Sequence, residues 1–361
     1  MAGAGAGPGL GAGPVAGASI GAANGGLAAG AGHACIVAGG GTPRIDWAQA
    51  TNPVLAYPRA AAKDEALVWA DGRWHMLFSY LTDDAGAPGG VSWNIASATS
   101  PDLAHWSGPS PWPRQAGVDG VASPDVTTSP RQGFVVTFQS DPGEAGGRQD
   151  RLYYRTSADL VHWSAPRPLA HGLAPAKDDR MIDGALAWTG HGLILGYKSG
   201  VKDGHQAFQI AWSPSGSPGG PWTKIGKPDI SVYNNTVENY EFVTIGGHWD
   251  LVATSNELDQ PWLFELAGDP TTPAGWLRWD TGTQLEVPGA PWDTGTGLSS
   301  VGFEHANSAF LCDARTIDGY YYLVYAGSSE LTEFGGWGHA EIGVARSTDL
   351  VHWQVPGPAA A

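Results

Sequence analysis

The sequence predicts an all-β chain folded as a five-bladed β-propeller, each blade a sheet of four antiparallel strands. Three observations carry this reading: a turn motif that recurs along the chain, a second repeat of paired β runs ahead of it, and a composition rich in turn formers. The 361 residues include 53 glycines and 27 prolines. No long stretch carries the 3.6-residue apolar spacing of an amphipathic helix, so many short strands joined by turns fit better.

The turn motif is the strongest signal. Ser100-Pro-Asp102-Leu-Ala-His105-Trp106 recurs as Ser157-Ala-Asp159-Leu-Val-His162-Trp163 and as Ser347-Thr-Asp349-Leu-Val-His352-Trp353. Its Ser and Asp side chains suit a tight turn, where they accept hydrogen bonds from backbone amides. Its Leu and Trp suit the gap between neighbouring sheets. Asp102, Asp159 and Asp349 are therefore read as turn residues rather than catalysts, and so are the three histidines. Ser213 to Trp222, and Gly268 to Trp276 or Trp279, are degenerate copies filling the long gap before the last one.

Ahead of each copy lies a polar or acidic residue, a β run, a Gly-containing turn and a second β run. These units start at Asp64, Asp125, Asp183, Glu238 and His305, at intervals of roughly sixty residues, a period that signals a solenoid or propeller. Each unit has room for four strands, with the third at Trp93 to Ala98 or Leu152 to Thr156. A single such sheet cannot bury both faces, whereas five closed in a ring can.

In a ring of this kind the first strand of each blade lines a central channel. Four of the five starts are carboxylates, Asp64, Asp125, Asp183 and Glu238, expected at equivalent positions around one axis. Crowding them there costs energy by mutual repulsion unless chemistry uses it. Glycoside hydrolysis has that need: one carboxyl stays protonated to donate to the leaving oxygen, and another is ionised to activate water or attack carbon. Glu241, three residues past Glu238, is expected to face the opposite side of its strand on the period-two rule. It takes the acid's place if the strand begins later.

Bulk properties bound the partners. A formal charge of −16 excludes a nucleic-acid partner, which requires clustered Lys and Arg. No apolar run is long enough for a membrane span. Residues 1–43 are Ala/Gly/Pro-rich without an acidic or basic side chain and are read as a disordered segment preceding a single catalytic domain, 44–361. They lack the basic start and unbroken apolar core of an export signal. The acidic, tryptophan-rich body sets an extracellular or periplasmic location as the expectation. Cys35 and Cys312 form no disulfide framework on this reading, because Cys35 lies in low-complexity sequence.

From Asn52 to Trp353 the chain resembles glycoside hydrolase family 43 and its five-bladed relatives. Asn52-Pro53-Val54-Leu55 and Asp64 look like the start of the first blade. Ser123-Pro124-Asp125-Val126 is similar to the Ala-Pro-Asp-Val of blade two, and Ile182-Asp183-Gly184 to the Ile-Asp-Pro of blade three. Glu238 precedes Gly246 with the blade-four spacing, and His305 matches the Gly-His-Gly position of blade five. The resemblance implies an inverting glycosidase with Asp64 as general base, Asp183 as modulator of pKa and orientation, and Glu238 as general acid. Base and acid would then stand roughly 6.5–9.5 Å apart. It also implies a structural Ca2+ in the channel near His305, a carbohydrate substrate of the arabinofuranoside, xyloside or galactan class, and no organic cofactor. Asp125, Glu241 and Trp93 are the expected substrate-binding residues. The prolines that follow the family's Asp residues are here Glu65 and Gly184, and Asn239-Tyr240 replaces the Gly-Pro after its acid.

Three other readings compete with this one. Family 32 fructan or sucrose hydrolases use an Asn-Asp-Pro-Asn-Gly motif that is absent here, although Arg180-Met-Ile-Asp183 faintly resembles their Arg-Asp-Pro. The Ser-x-Asp repeats suggest a sialidase, which needs six blades and an arginine triad. A non-catalytic sugar-binding propeller would share the architecture without the chemistry. Substrate choice would lie in loops at the channel mouth, where Trp93, Trp292 and Trp337 are candidates for stacking on sugars.

Overall fold

The structure is a computed structural model that describes residues 35–37, 41–87, 90–140, 151–170, 173, 180–199, 207–230, 237–255, 261–290, 292–293, 308–328 and 340–357. Each sequence unit folds into one sheet because its two β runs meet at a Gly turn and its third run returns antiparallel. The first blade is β1 (Ala60–Ala70), β2 (Arg73–Asp83), β3 (Val91–Ser100) and β4 (Ser110–Pro111). The second is β5 (Val121–Ser129), β6 (Gly133–Ser140), β7 (Leu152–Ser157) and β8 (Arg167–Pro168). The third is β9 (Met181–Thr189), β10 (Gly192–Ser199), β11 (Ala207–Ser213) and β12 (Thr223–Gly226). The fourth is β13 (Val237–Ile245), β14 (His248–Ser255), β15 (Pro261–Glu265) and β16 (Thr283–Gln284). The fifth is β17 (Ser308–Asp313), β18 (Tyr321–Ser328), β19 (Ala340–Ser347) and β20 (Trp353–Gln354). The first strands β1, β5, β9, β13 and β17 touch in that order and β17 returns to β1. The five-bladed ring is the fold that the sequence predicts.

The core lies between blades rather than within them. One cluster packs Leu67 and Phe78 of the first blade against Phe138 of the second and Phe310 of the fifth. Others join Leu152 to Leu186, Ile194 to Phe242, and Val252 to Leu323 across the remaining junctions. Most tryptophans serve this packing: Trp74, Trp112, Trp222, Trp249, Trp276, Trp279 and Trp353 are all buried.

The repeated turn behaves as its side chains require. Asp102 Oδ1 accepts from the amides of Ala104 (3.1 Å) and His105 (2.9 Å), and Ser100 Oγ accepts from the amide of Asp102 (3.1 Å). The Asp159 and Asp349 copies repeat the same pattern. These bonds hold Leu103, Leu160 and Leu350 at φ of 63°, 61° and 65°, a left-handed conformation that a Leu adopts only when its neighbours enforce it. His105, His162 and His352 each bond their turn's Asp through Nδ1.

Ring closure corrects two expectations. Cys35 and Cys312 form a disulfide across a sequence separation of 277, joining the N-terminal segment to β17. Backbone pairing places Cys35 there: Ile36 bridges Trp69 in parallel, and the amide of Trp69 donates to Cys35 O (2.6 Å). The supposed disordered segment therefore contains an ordered stretch at residues 35–37, packed beside β1; residues 1–34 lie outside the described residues. Asn52 completes the seam, its side chain bonding both the amide (2.8 Å) and carbonyl (2.9 Å) of Val344. Leu55 pairs with Ile342 beside it.

Candidate active site

Four of the five inner strands carry a β-bulge at the same place, and the bulges build the site. Two residues oppose one at 64–65 of β1, 123–124 of β5, 183–184 of β9 and 239–240 of β13. The first residue of each pair has positive φ: Asp64 53°, Ser123 50°, Asp183 53° and Asn239 52°. Such conformations are costly for residues other than Gly and persist where surrounding contacts over-determine them. Those contacts cross between blades. The amide of Asp64 donates to Ser308 Oγ (2.9 Å), that of Ser123 to Ser79 Oγ (2.8 Å), and that of Asp183 to Gln139 Oε1 (2.6 Å).

The bulges correct the expected equivalence of the four carboxylates. Only Asp64 and Asp183 share a position. Glu238 precedes the positive-φ residue of its strand, while Asp125 and Glu241 each lie two residues beyond theirs, one step deeper along the channel. The extra residue also cancels the expected phase difference between Glu238 and Glu241, because a bulge shifts the alternation by one. Glu241 therefore lines the channel too.

The result is two tiers of acidic groups. In the upper tier Asp64 Oδ2 accepts from Ser79 Oγ (2.7 Å) and Ser123 Oγ (3.3 Å), with Lys63 Nζ 3.5 Å from its other oxygen. Lys198 of β10 bonds Glu238 and lies 3.9 Å from Asp183. Burial pushes Asp183 up to about 6; Lys198 opposes this, and the nearby charges of Glu238 and Asp64 add to it. Asp64, Asp183 and Glu238, from three blades, thus sit within one electrostatic neighbourhood.

In the lower tier Glu65, Asp125 and Glu241 are buried. Burial pushes Glu65 up to about 8 and raises Asp125 and Glu241 well above the carboxylate range. Burial thus favours the neutral form of all three. Both tiers line a cavity of about 30 Å³, room for one or two waters rather than a sugar ring. Ser308 Oγ donates to Glu65 Oε2 (3.0 Å), and the amide of Leu311 donates to Glu241 Oε2 (2.6 Å).

Trp93 is half-buried against Ala61, Leu81, Val91 and Ala340, with Lys63 Nζ 5.9 Å from its ring centroid. Trp292 packs on Tyr325 at 5.6 Å. His305, expected to hold calcium, lies outside the described residues, as does Trp337. Among the described residues no group of three or more His, Cys, Asp or Glu is arranged to hold a metal ion. No described helix is long and apolar enough to cross a membrane. Lys63, Lys198 and Glu65 are members of the site that sequence reasoning missed. Glu65 shows in the sequence only as a departure from the family's proline, and Lys198 as a charged residue near the end of an otherwise apolar strand.

Comparison with solved structures defines the class: a five-bladed propeller of the fold on which several glycoside hydrolases are built. The catalytic domain of the family 62 α-L-arabinofuranosidase of Coprinopsis cinerea superposes with a TM-score of 0.57 at 16% identity, over 85% of this chain and 98% of that one. The α-L-arabinofuranosidase of Lactobacillus brevis gives 0.56 at 12% identity, over 87% and 99%. A family 117 glycoside hydrolase of the marine bacterium Zobellia galactanivorans gives 0.53 at 12% identity, over 84% and 87%. No protein-family model matches the sequence, and no curated protein does.

Proposed function

We propose that the chain is an inverting glycoside hydrolase acting on arabinofuranosyl, xylosyl or galactosyl linkages of plant or algal saccharides. The observation that carries this is the convergence of Asp64, Asp183 and Glu238 from three blades on one channel, beside a second set of carboxyls that burial biases toward the neutral form. Asp64, oriented by Ser79 and Ser123 with Lys63 beside it, is the general base that takes a proton from the attacking water. Asp183 and Glu238 hold a proton between them, and Glu238 delivers it to the leaving oxygen. Trp93 stacks on the sugar. The solved relatives named arabinofuranosidases favour the pentofuranoside end of this substrate range.

An oxidising location outside the cytosol accords with the Cys35–Cys312 bond, since such bonds persist where thiols are not kept reduced. Calcium at His305 is tested separately: chelation should abolish activity and added Ca2+ restore it. The decisive experiment is a screen of aryl arabinofuranosides, xylosides, galactosides and fructans with purified protein, followed by Glu238→Gln on the active substrate. Loss of turnover with retained sugar binding is expected; undiminished hydrolysis overturns the assignment. Proton NMR of the first-formed anomer separates inversion from the retaining chemistry of family 32.

A further inference from the structure

We propose that Lys198 is a positioning residue of this site, holding the Glu238 carboxylate beside Asp183 and fixing how many protons the two carboxyls share. The inference concerns the same channel as the glycosidase reading, but its geometry stands without that reading. Lys198 lies opposite Ile182, the residue just before the bulge of β9. Its counterparts by register are Ser79, Gln139 and Thr254, opposite Lys63, Ala122 and Glu238. Ser79 and Gln139 each accept the amide of the next blade's positive-φ residue. A lysine ammonium has no lone pair to accept with, so Lys198 cannot make the bond by which Ser79 and Gln139 join blades.

A charge stands in its place. The Lys198 side chain is 5% exposed, that of Asp183 5% and that of Glu238 15%. Burying an ammonium is unfavourable unless it is paired, and here both partners are carboxyls of the upper tier. The other titratable groups facing the pair are Asp64 and Lys63 from β1 and Tyr240 from β13. Two carboxyls this close titrate as a unit. A cation within contact favours their ionised forms, and removing it displaces the pair's titration upward by about 1–3 pH units. If the last proton of the pair is the one delivered to the leaving group, Lys198 sets the alkaline limit of activity and holds it on the acid side.

The test compares the wild type with Lys198→Met and Lys198→Arg. The carboxyl 13C resonances of Asp183 and Glu238 are followed against pH, assigned by the signals lost in Asp183→Asn and Glu238→Gln. Upward displacement in Lys198→Met, largely reversed in Lys198→Arg, is expected. Titrations that coincide in wild type and Lys198→Met overturn the proposal. Lys198→Gln replaces the Met variant if that one fails to melt cooperatively. On an active substrate, the alkaline limb of kcat/KM should move with the NMR titration while KM changes little. A uniform loss of rate with an unmoved limb marks a packing role and also overturns it. If Glu238→Gln hydrolyses normally the acid assignment of the glycosidase reading fails, and if no glycoside is cleaved at all that reading fails whole; in either case the NMR comparison still decides the role of Lys198.

Discussion

Glu65 makes the lower tier measurable. Its carboxyl is buried and held up to about 8 from an ordinary 4.5, chiefly by loss of solvent, with the charge of Asp64 adding to the effect. A carboxyl whose proton affinity is higher folded than unfolded binds more protons in the native state. Its contribution is therefore intact below pH 4.5 and is lost as pH rises through about 8. At 1.36 kcal/mol per pH unit the loss approaches about 4–5 kcal/mol as an upper bound, a large share of an ordinary domain's stability. Glu65→Gln removes the ionisation and keeps the shape. Its amide oxygen can accept the hydrogen bond that Ser308 Oγ now gives the carboxyl. Urea midpoints of the two proteins should nearly coincide at pH 5 and separate at pH 8, with the variant the more stable. Equal offsets at both pH values would refute the claim that Glu65 is buried as the neutral acid.

Other consequences are checked more simply. Replacing both Cys35 and Cys312 by Ser should lower stability by about 5.6 kcal/mol at most, the chain-entropy limit for so long a loop, read as a shifted urea midpoint; thiol titration of the native wild type should find no free cysteine. Asp102→Ala strips two backbone amides of their acceptor and should cost about 2 kcal/mol, visible as a lower Tm without loss of turnover. Hydrogen bonds from His162 and His352 hold Asp159 and Asp349 below the usual carboxylate range, so protonating them should loosen these turns as pH falls below 4, measurable as faster amide exchange there. Trp93→Ala should raise KM about tenfold, equivalent to burying roughly one or two CH groups of a sugar against the indole, with kcat nearly unchanged; a fall in kcat alone would place Trp93 outside sugar binding.

The blade count was legible in the sequence because its turns are written locally. Ser100, Asp102 and Leu103 build one turn from their own backbone and side chains, and the copies at 157 and 347 do the same. The bulges were not legible, because nothing local marks Ser123 or Asn239 as the partner of Asp64. Their conformation comes from side chains in adjoining blades, such as Ser79 and Gln139, and these contacts exist only once the ring closes. Aligning the units by their carboxylates therefore joined Asp125 to the wrong neighbours and turned Glu241 away from the channel. The Cys35–Cys312 bond was hidden for a related reason. Its anchor is the pairing of Ile36 with Trp69, a tertiary contact made by a segment whose composition argues against order.

Four junctions of the ring are spanned by continuous chain, whereas the fifth is held by the packing of β17, β18 and β19 on β1 and by the N-terminal arm laid across it. The strap at residues 35–37 and the peg of Asn52 fasten that junction from both sides, one covalently and one by hydrogen bonds. Spreading the fifth blade from the first would pull Ser308 away from the amide of Asp64 and from Glu65. A fastening at the seam thus also bears on the pose of Asp64 at the hub, so reducing the clasp should alter turnover as well as the urea midpoint.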